Sequence, residues 1–205
     1  MSIYMKNGEE IKFYGRKLPA RRGRIDKEEA NSAFKKYKKE ILDVFFAENG
    51  FYKHKTTAYV RLSEVGVLQN VNLQKSQFDG GLFYVNYEVV PLYRPVKGRG
   101  FMTGLDSRLD KYDQDWRYDD YEIAQITFED LREALQTCML PWFDEFCDEE
   151  NYREMLLKDQ GKNWCRGWLE ALERSEEERK AVILENIEKF KLPKKLTKGI
   201  FDAKE

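Results

Sequence analysis

Two stretches of alternating polarity decide the fold: VGVLQNVNLQK at residues 65–75 and LFYVNYEVVPL at residues 82–92. Successive side chains of a β-strand point to opposite faces, so each stretch predicts a strand with one apolar face. The segment QFDGG at residues 77–81 has the length and composition of a hairpin turn. The sequence therefore predicts two neighbouring antiparallel strands.

The two faces of this hairpin differ in polarity. One face carries apolar residues, namely Val67, Val71, Leu73, Phe83, Val85, Tyr87 and Val89. The other face carries polar residues, namely Asn70, Asn72, Gln74, Asn86 and Glu88. Amide side chains on a rigid strand present donors and acceptors at fixed spacing, which makes the polar face a candidate binding surface for a ligand or a peptide. The alternative is that an antiparallel sheet simply exposes its polar face to water.

A helix and further strands precede the hairpin. Asp26 is a capping residue, apolar residues then recur at helical spacing, and Asn49-Gly50 supplies a left-handed stop. Lysines of the opposite helix face, including Lys38, are expected to be solvated. Alternation of polar and apolar residues is also found before the hairpin, at residues 51–53 and 57–62. We therefore predict an antiparallel meander of three to five strands.

Helical signals dominate the chain after the hairpin. Thr127 is predicted to cap a second helix, which Pro141 must kink or restart because proline lacks an amide hydrogen. Three shorter helices are predicted at residues 149–158, at residues 162–173 and after a capping box at Ser175. The whole pattern predicts an α+β fold in which the sheet packs against helices and a helical extension follows.

The predicted domain organisation has three parts. Residues 1–25 are a basic irregular arm that contributes little to the core, residues 26–150 are the α+β core domain, and residues 151–205 are a C-terminal helical extension packed on that core. A chain of 205 residues is long enough to bury one sizeable core with a small helical appendage.

The order of these signals resembles a known bacterial family. The signals are NGF at the end of the first helix, YVR, QNVNLQKS and FYVN, at residues 49–51, 59–61, 69–76 and 83–86. This pattern resembles the family catalogued as domain of unknown function 4304, over roughly residues 33–155. Its most specific part is Gln74-Lys75-Ser76 followed by the Gly80-Gly81 turn. The resemblance implies a helix-flanked antiparallel sheet and no catalytic residue, because that family has no established activity.

The composition argues against several classes of protein. Charged residues make up 36% of the chain, but 13 Phe, 12 Tyr and 4 Trp supply enough buriable surface for a folded core. There is no run of about 20 apolar residues and no secretory signal at the start, so we expect a cytosolic protein without a membrane partner. That the protein is bacterial is what the family resemblance implies. Three cysteines without paired spacing and one histidine do not form a zinc site. We therefore expect no metal and no cofactor.

Lys75 and Ser76 stand at the end of a predicted strand, where a loop begins. A Ser–Lys pair can act as nucleophile and base, but adjacent residues of a strand point to opposite faces, so these two would not meet. Two other interpretations stay open: a small-ligand site beside Lys75, and a lysine that blunts the edge of the sheet. We find no other catalytic constellation and do not expect an enzyme.

Two acidic stretches, residues 106–122 and 129–150, contain aromatic residues. The candidates for contact with a partner are Trp116, Trp142, Asp144, Glu145 and Asp148. Negative charge with aromatic anchors is typical of a surface that binds a basic partner quickly and tightly. The leading hypothesis is a non-catalytic protein-interaction module, of the immunity type that covers the basic active site of a toxin. The competing interpretation is a core stripe of aromatic residues beside solvated carboxylates.

The alternative function is a nucleic-acid-associated factor that uses the basic arm. Its phosphate-binding residues would be Arg16, Arg21, Arg22 and Arg24. The net charge of the whole chain is -1, and basic arms often pair with acidic surface elsewhere in a fold. Nucleic acid therefore ranks below a protein partner.

Overall fold

The computed structural model describes most of the chain. The described residues are 3–4, 10–11, 13–21, 23–96, 105–109, 111, 114–158 and 163–197. Within them the fold is α+β, with an antiparallel sheet and C-terminal helices, and the predicted fold class is confirmed. None of the helices in the described part of the chain is long and apolar enough to cross a membrane.

The described strands form one large and one small sheet. They are β1 (Ile3–Tyr4), β2 (Glu10–Ile11), β3 (Tyr52–Lys55), β4 (Ala58–Leu62), β5 (Val67–Lys75), β6 (Leu82–Pro91), β7 (Leu105–Leu109) and β8 (Trp116–Arg117). β1 pairs with β2, and the large sheet has the order β3-β4-β5-β6-β7, with β8 also paired to β6. The predicted hairpin of β5 and β6 therefore lies in the middle of the sheet. Lys75 does not lie on an edge strand, so the edge-blunting interpretation is wrong.

The helices follow most of the predicted boundaries. They are α1 (Lys27–Tyr37), α2 (Asp43–Glu48), α3 (Tyr121–Ala134), α4 (Leu140–Asp144), α5 (Glu149–Lys158), α6 (Asn163–Leu172) and α7 (Glu176–Lys189), followed by a 3₁₀ turn (Lys194–Thr197). The first predicted helix is confirmed from cap to stop, because Oδ1 of Asp26 accepts from the amides of Glu28 and Glu29, and Gly50 has a φ of 77°. The capping box at Ser175 is also present.

A π-helical turn, Lys38–Leu42, joins α1 to α2. The π-helical bond pattern brings together residues that are five apart in the sequence. Nζ of Lys38 accordingly lies 2.7 Å from Oδ1 of Asp43 and 3.2 Å from the hydroxyl of Tyr59. The expectation of a solvated Lys38 is wrong, since its side chain is only 6% exposed.

The second long helix begins earlier than predicted. Asp120 is its N-cap, and its Oδ1 accepts from the amide of Ile123 at 2.8 Å, whereas Thr127 is buried in the middle of α3. The first turn of α3 already carries the buried Ile123 and Ala124, so the apolar face of the helix extends further towards the N-terminus than the sequence pattern indicates. A π segment, Leu135–Met139, separates α3 from α4, so the winding changes just before Pro141, where a kink or restart is predicted.

The chain divides into two compact units. Unit 1 comprises Met1–Tyr59, Val71–Tyr87 and Ser107–Trp142, and unit 2 comprises Val60–Asn70, Glu88–Asp106 and Phe143–Glu205. This division passes through the strands, and it differs from the predicted linear order of arm, core and extension. Contacts between residues that are far apart in the sequence determine the division into units, and the sequence pattern does not reveal these contacts.

The core of unit 1 contains a cluster of aromatic rings. Phe34 of α1 meets Phe83, Tyr118 and Phe128 at centroid distances of 5.4, 4.9 and 5.3 Å, all with their edges towards faces. All four side chains are almost completely buried. Edge-to-face packing adds to the free energy that burial of each ring contributes. This cluster joins α1, β6 and α3.

The described part of the N-terminal arm is packed into unit 1. Phe13 and Leu18 are buried, and Phe13 stacks on Trp116 with 6.2 Å between ring centroids. Nε of Arg16 lies 2.6 Å from Oδ1 of Asp130 on α3. The expectation of an arm with little core is therefore wrong for these residues. Their apolar positions are irregularly spaced, so they give no periodic signal.

Unit 2 is held together by buried polar contacts as well as by apolar packing. The hydroxyls of Tyr93 and Tyr152 lie 2.9 Å apart, and Nδ2 of Asn186 donates to the carbonyls of Leu92 and Arg94 at 2.8 Å each. These contacts attach α5 and α7 to the segment that follows β6.

Candidate functional site

Unit 2 contains a cleft of about 370 Å³. Three segments that are distant in the sequence line it: the turn between β4 and β5, the loop and first residue of α5, and the first two turns of α7. Its charged lining residues are Glu64, Asp148, Glu149, Glu176, Arg179 and Lys180. The volume lies at the lower end of the range of pockets that bind small molecules.

The turn that carries Glu64 has a fixed conformation. The amide of Gly66 donates to the carbonyl of Ser63 at 2.9 Å, and the amide of Val67 donates to Oγ of Ser63 at 3.1 Å. Gly66 has a φ of 82°, and a Cβ there would lie 2.6 Å from Cδ1 of Ile183. Glycine is therefore required at this position. The tight turn holds Glu64 at the cleft.

The cleft carries an excess of negative charge. Four carboxylates and two cationic side chains line it, which gives a net charge of -2. Arg179 lies 3.4 Å from Glu149, and Lys180 lies 3.0 Å from Glu176. Among the described residues, Glu64 and Asp148 have no cationic partner. These two carboxylates can accept a cation from outside the chain.

The acidic residues singled out from the sequence occupy different places. Asp148 is exposed in the cleft, and its Oδ1 accepts from the amide of Asn151 at 2.7 Å, so it caps α5. Asp144 is 64% exposed and lies 3.0 Å from Arg61, but it does not line the cleft. Glu145 is half-buried and does not line it either. The structure therefore brings only Asp148 of these three into the cleft.

Cys147 lines the cleft as a protonated thiol. Burial raises the pKa of Cys147 above its ordinary value, against the hydrogen bond from Gln69, whose Nε2 lies 3.3 Å from Sγ. A thiol with a raised pKa is a poor nucleophile at neutral pH. In the part of the chain that the structure describes, no group of three or more possible metal ligands occurs. The feature of the cleft that can bind a partner is its negatively charged lining.

Lys75 and Ser76 make separate contacts in unit 1. Nζ of Lys75 lies 2.5 Å from Oδ1 of Asn31 and 4.1 Å from the centroid of the Phe34 ring. Oγ of Ser76 accepts from the amides of Phe78 and Asp79 and so fixes the hairpin turn. The two side chains have different partners, in agreement with the expectation that they point to opposite faces of the strand.

The polar side chains of the sheet are largely bonded to one another. In unit 1, Asn72 accepts from Thr57 at 3.4 Å, and Asn86 donates to Gln74 at 3.0 Å. In unit 2, Nδ2 of Asn70 donates to Glu88 at 2.6 Å. Asn70 is only 8% exposed, so the expectation that this face is wet is wrong at that position.

The two candidate tryptophans pack within the protein. Trp116 is 3% exposed, and its Nε1 donates to the carbonyl of Leu109 at 2.8 Å. Trp142 is half-buried and meets the ring of Tyr87 edge to face at 4.9 Å. Trp116 is therefore a core residue and presents no surface to a partner, which fits the competing interpretation of a core stripe.

The arginines of the basic arm that are described have acidic partners. Arg16 pairs with Asp130, and Arg21 lies 2.5 Å from Asp79 and 2.9 Å from Asp119. Arg24 is exposed, and Arg22 lies outside the described residues. Two of the four predicted phosphate-binding side chains are thus used within unit 1.

Several cleft residues gave no signal in the sequence. Glu64 is a single acidic residue in a turn, and Glu176 and Arg179 lie on a helix whose charged face reads as ordinary surface. The capping box at Ser175 could have located the first turn of α7, but nothing in the sequence places that turn beside Glu64.

Comparison of the chain with protein-family models, curated proteins and solved structures finds no match. Membership of the family catalogued as domain of unknown function 4304 therefore stays a prediction. What the structure itself defines is an α+β protein with an acidic cleft in unit 2.

Proposed function

We propose that this chain is a non-catalytic protein-interaction module that binds a basic segment of a protein partner in the acidic cleft of unit 2. One observation carries the proposal: Glu64 and Asp148, which are far apart in the sequence, line the same cleft without a cationic partner among the described residues. A lysine or arginine side chain of the partner supplies the missing positive charge.

The expected binding is fast, salt-sensitive and of moderate strength. Glu64 and Asp148 are exposed, so each ion pair contributes about 0.2–1 kcal/mol. Complementary charge mainly accelerates encounter, and salt screens it over about 10 Å at 0.1 M ionic strength. The buried Trp116 contributes no anchoring contact. The acidic residues, rather than the aromatic ones, therefore carry the interaction.

The more specific form of this proposal is an immunity-type protein in the bacterial cytosol. A toxin that acts on nucleic acid needs a basic active site, and an acidic surface complements such a site. The nucleic-acid alternative has less support, since Arg16 and Arg21 are paired with carboxylates of unit 1.

A fluorescent lysine- and arginine-rich peptide tests the binding directly. Its affinity at low salt is measured by anisotropy for the wild type and for the double variant Glu64→Gln/Asp148→Asn. Asparagine caps helices as well as aspartate does, so α5 keeps its start. We expect about tenfold weaker binding, the loss of two exposed ion pairs.

The matched control is Glu177→Gln/Glu185→Gln. Both residues are exposed on α7, neither lines the cleft, and the change in net charge is the same. The control should bind like the wild type. Equal weakening by the two double variants would show that the peptide responds only to net charge, and the proposed cleft would be abandoned.

A further inference from the structure

The turn between β5 and β6 presents the most exposed large apolar side chain in the described part of the chain. Phe78 is 100% exposed, and the next most exposed of these side chains, Tyr14, is 67% exposed. A single half-exposed apolar residue is ordinary on a protein surface, whereas a phenylalanine that buries none of its area contributes nothing to the core. The whole ring of Phe78 is therefore available to a partner.

The backbone of this turn is held in place. Oγ of Ser76 accepts from the amides of Phe78 and Asp79 at 3.2 and 3.1 Å. Oδ1 of Asp79 accepts from the amide of Gly81 at 2.9 Å, and its Oδ2 lies 2.5 Å from Arg21 of the N-terminal arm. An anchor on a fixed backbone loses less conformational entropy on binding than one on a loose loop. The turn thus preorganises Phe78 for insertion into a pocket.

A cationic side chain lies beside the same turn. Cγ and Cε of Lys27 lie 3.3 Å from the position that a Cβ of Gly80 would take. Lys27 is exposed, and among the described residues no carboxylate pairs with it. The hairpin tip, defined as Phe78 and Lys27, therefore offers an aromatic ring and a positive charge.

The acidic cleft of unit 2 has the complementary surface. Besides Glu64 and Asp148, its lining includes the apolar Val65 and Ile183. Val65 and Ile183 are only 8% and 4% exposed, so they form the floor of the cleft. A cavity of about 150 Å³ is large enough for a benzene ring. The cleft of about 370 Å³ therefore has room for a phenyl ring beside a lysine side chain.

We propose that the hairpin tip of one copy of this chain docks in the acidic cleft of a second copy. In this contact the Phe78 ring lies against Val65 and Ile183, and Nζ of Lys27 lies between the two unpaired carboxylates of the cleft. Phe78 does not line the cleft of its own chain, so the contact joins two copies. Both of its surfaces are present on this chain, and they match in polarity and in charge.

The contact is heterologous, because the tip and the cleft are different surfaces. Each docked copy keeps an unused tip or an unused cleft, so further copies add to form chains or rings. The inference rests on the proposed function, since it assigns a second occupant to the same cleft. A basic segment of a partner competes with the hairpin tip, and self-association therefore regulates access to the cleft.

Sedimentation velocity of the intact chain at low salt tests the tip. We expect the mean mass of the wild type to rise with protein concentration. Phe78→Ser removes a ring that packs on nothing in its own unit, and it should weaken association about tenfold or more. Val44→Ser, at a 49% exposed position of α2, is the matched control and should associate like the wild type. A wild type that stays monomeric while a basic peptide still binds the cleft would overturn this inference and leave the proposed function standing.

Two complementary variants test whether the cleft receives the tip. Phe78→Ser keeps the cleft, whereas Glu64→Gln/Asp148→Asn keeps the tip, and each alone should associate about tenfold more weakly than the wild type. Their equal mixture should form dimers and nothing larger, because only one contact can form between the two variants. Added lysine-rich peptide should dissociate these dimers. Association that requires Phe78 but survives the double variant would place the tip on another surface and contradict the inference.

Discussion

Nζ of Lys111 lies 2.7 Å from Oδ2 of Asp130, and the two side chains are 0% and 3% exposed. Asp130 also accepts from the amide of Arg16 at 2.8 Å and from its Nε at 2.6 Å, and Lys111 donates to the carbonyl of Arg16 at 2.7 Å. This buried group attaches the N-terminal arm to α3.

We expect Lys111→Met to lower the free energy of unfolding by about 3 kcal/mol, because it leaves the Asp130 carboxylate buried with fewer partners. Urea unfolding of the wild type and the variant measures the difference. The double variant Lys111→Met/Asp130→Leu should recover part of the loss. A single variant as stable as the wild type would show that Lys111 does not offset the cost of burying the Asp130 carboxylate.

Gly15 is expected to tolerate no side chain. A Cβ at that position would lie 2.4 Å from Cε of Lys111 and 2.5 Å from Oδ2 of Asp130, and neither buried atom can move without breaking the ion pair. Gly15→Ala should cost about 1–3 kcal/mol in thermal or urea unfolding. Gly167→Ala is the control, since a Cβ there meets nothing within 4 Å in α6. That variant should be stabilised by about 0.5–1 kcal/mol, and the same sign for both variants would contradict the packing described at Gly15.

Arg21 is expected to contribute stability that disappears in acid. The hydrogen bond from Arg21 lowers the pKa of Asp79. A carboxyl with a lowered folded-state pKa contributes stability above its unfolded pKa, about 3.9, and loses it as the pH falls through the folded value. Arg21→Gln should therefore cost up to about 1 kcal/mol at pH 7, given the partial exposure of the pair, and nearly nothing below about pH 2. Urea unfolding at both pH values measures this, and a difference that persists in acid would point to packing instead.

Cys147 should report whether the cleft is occupied. Its raised pKa predicts slow alkylation by iodoacetamide at neutral pH, and because it lines the cleft, a bound basic peptide should slow the reaction further. Site-resolved mass spectrometry with and without a lysine-rich peptide gives the rates. Unchanged labelling at saturating peptide would indicate that the peptide binds elsewhere.

The parts of the fold that could be predicted are those with a local cause. Alternation fixes β5 and β6, the Asn49-Gly50 stop ends α2, and the Ser175 capping box begins α7. Each depends on residues a few positions apart. Periodicity assumes a regular α-helix and therefore puts Lys38 on the solvated face. The π turn changes which residues are neighbours, and the Lys38 side chain is buried.

The candidate cleft could be predicted only in part. Asp148 was identified because it lies in an acidic run, but Glu64 and the first turns of α7 approach it through tertiary packing alone. The same limit applies to Lys75, which is visible in the sequence as a strand end. Its contacts with Asn31, Phe34 and Tyr118 depend on how α1 and the residue that follows β8 pack against the end of β5.

The most direct test of the proposed interaction is to identify the residues of the protein that a bound basic segment contacts. A lysine-rich peptide is coupled to the chain at low salt with a carbodiimide, which joins an amine to a carboxylate only when the two are in contact, and the linked residues are identified by mass spectrometry. We expect the links to concentrate on Glu64 and Asp148 and to diminish as salt is added. Links that fall mainly on carboxylates away from the cleft, such as Glu177 and Glu185, would contradict the proposed function.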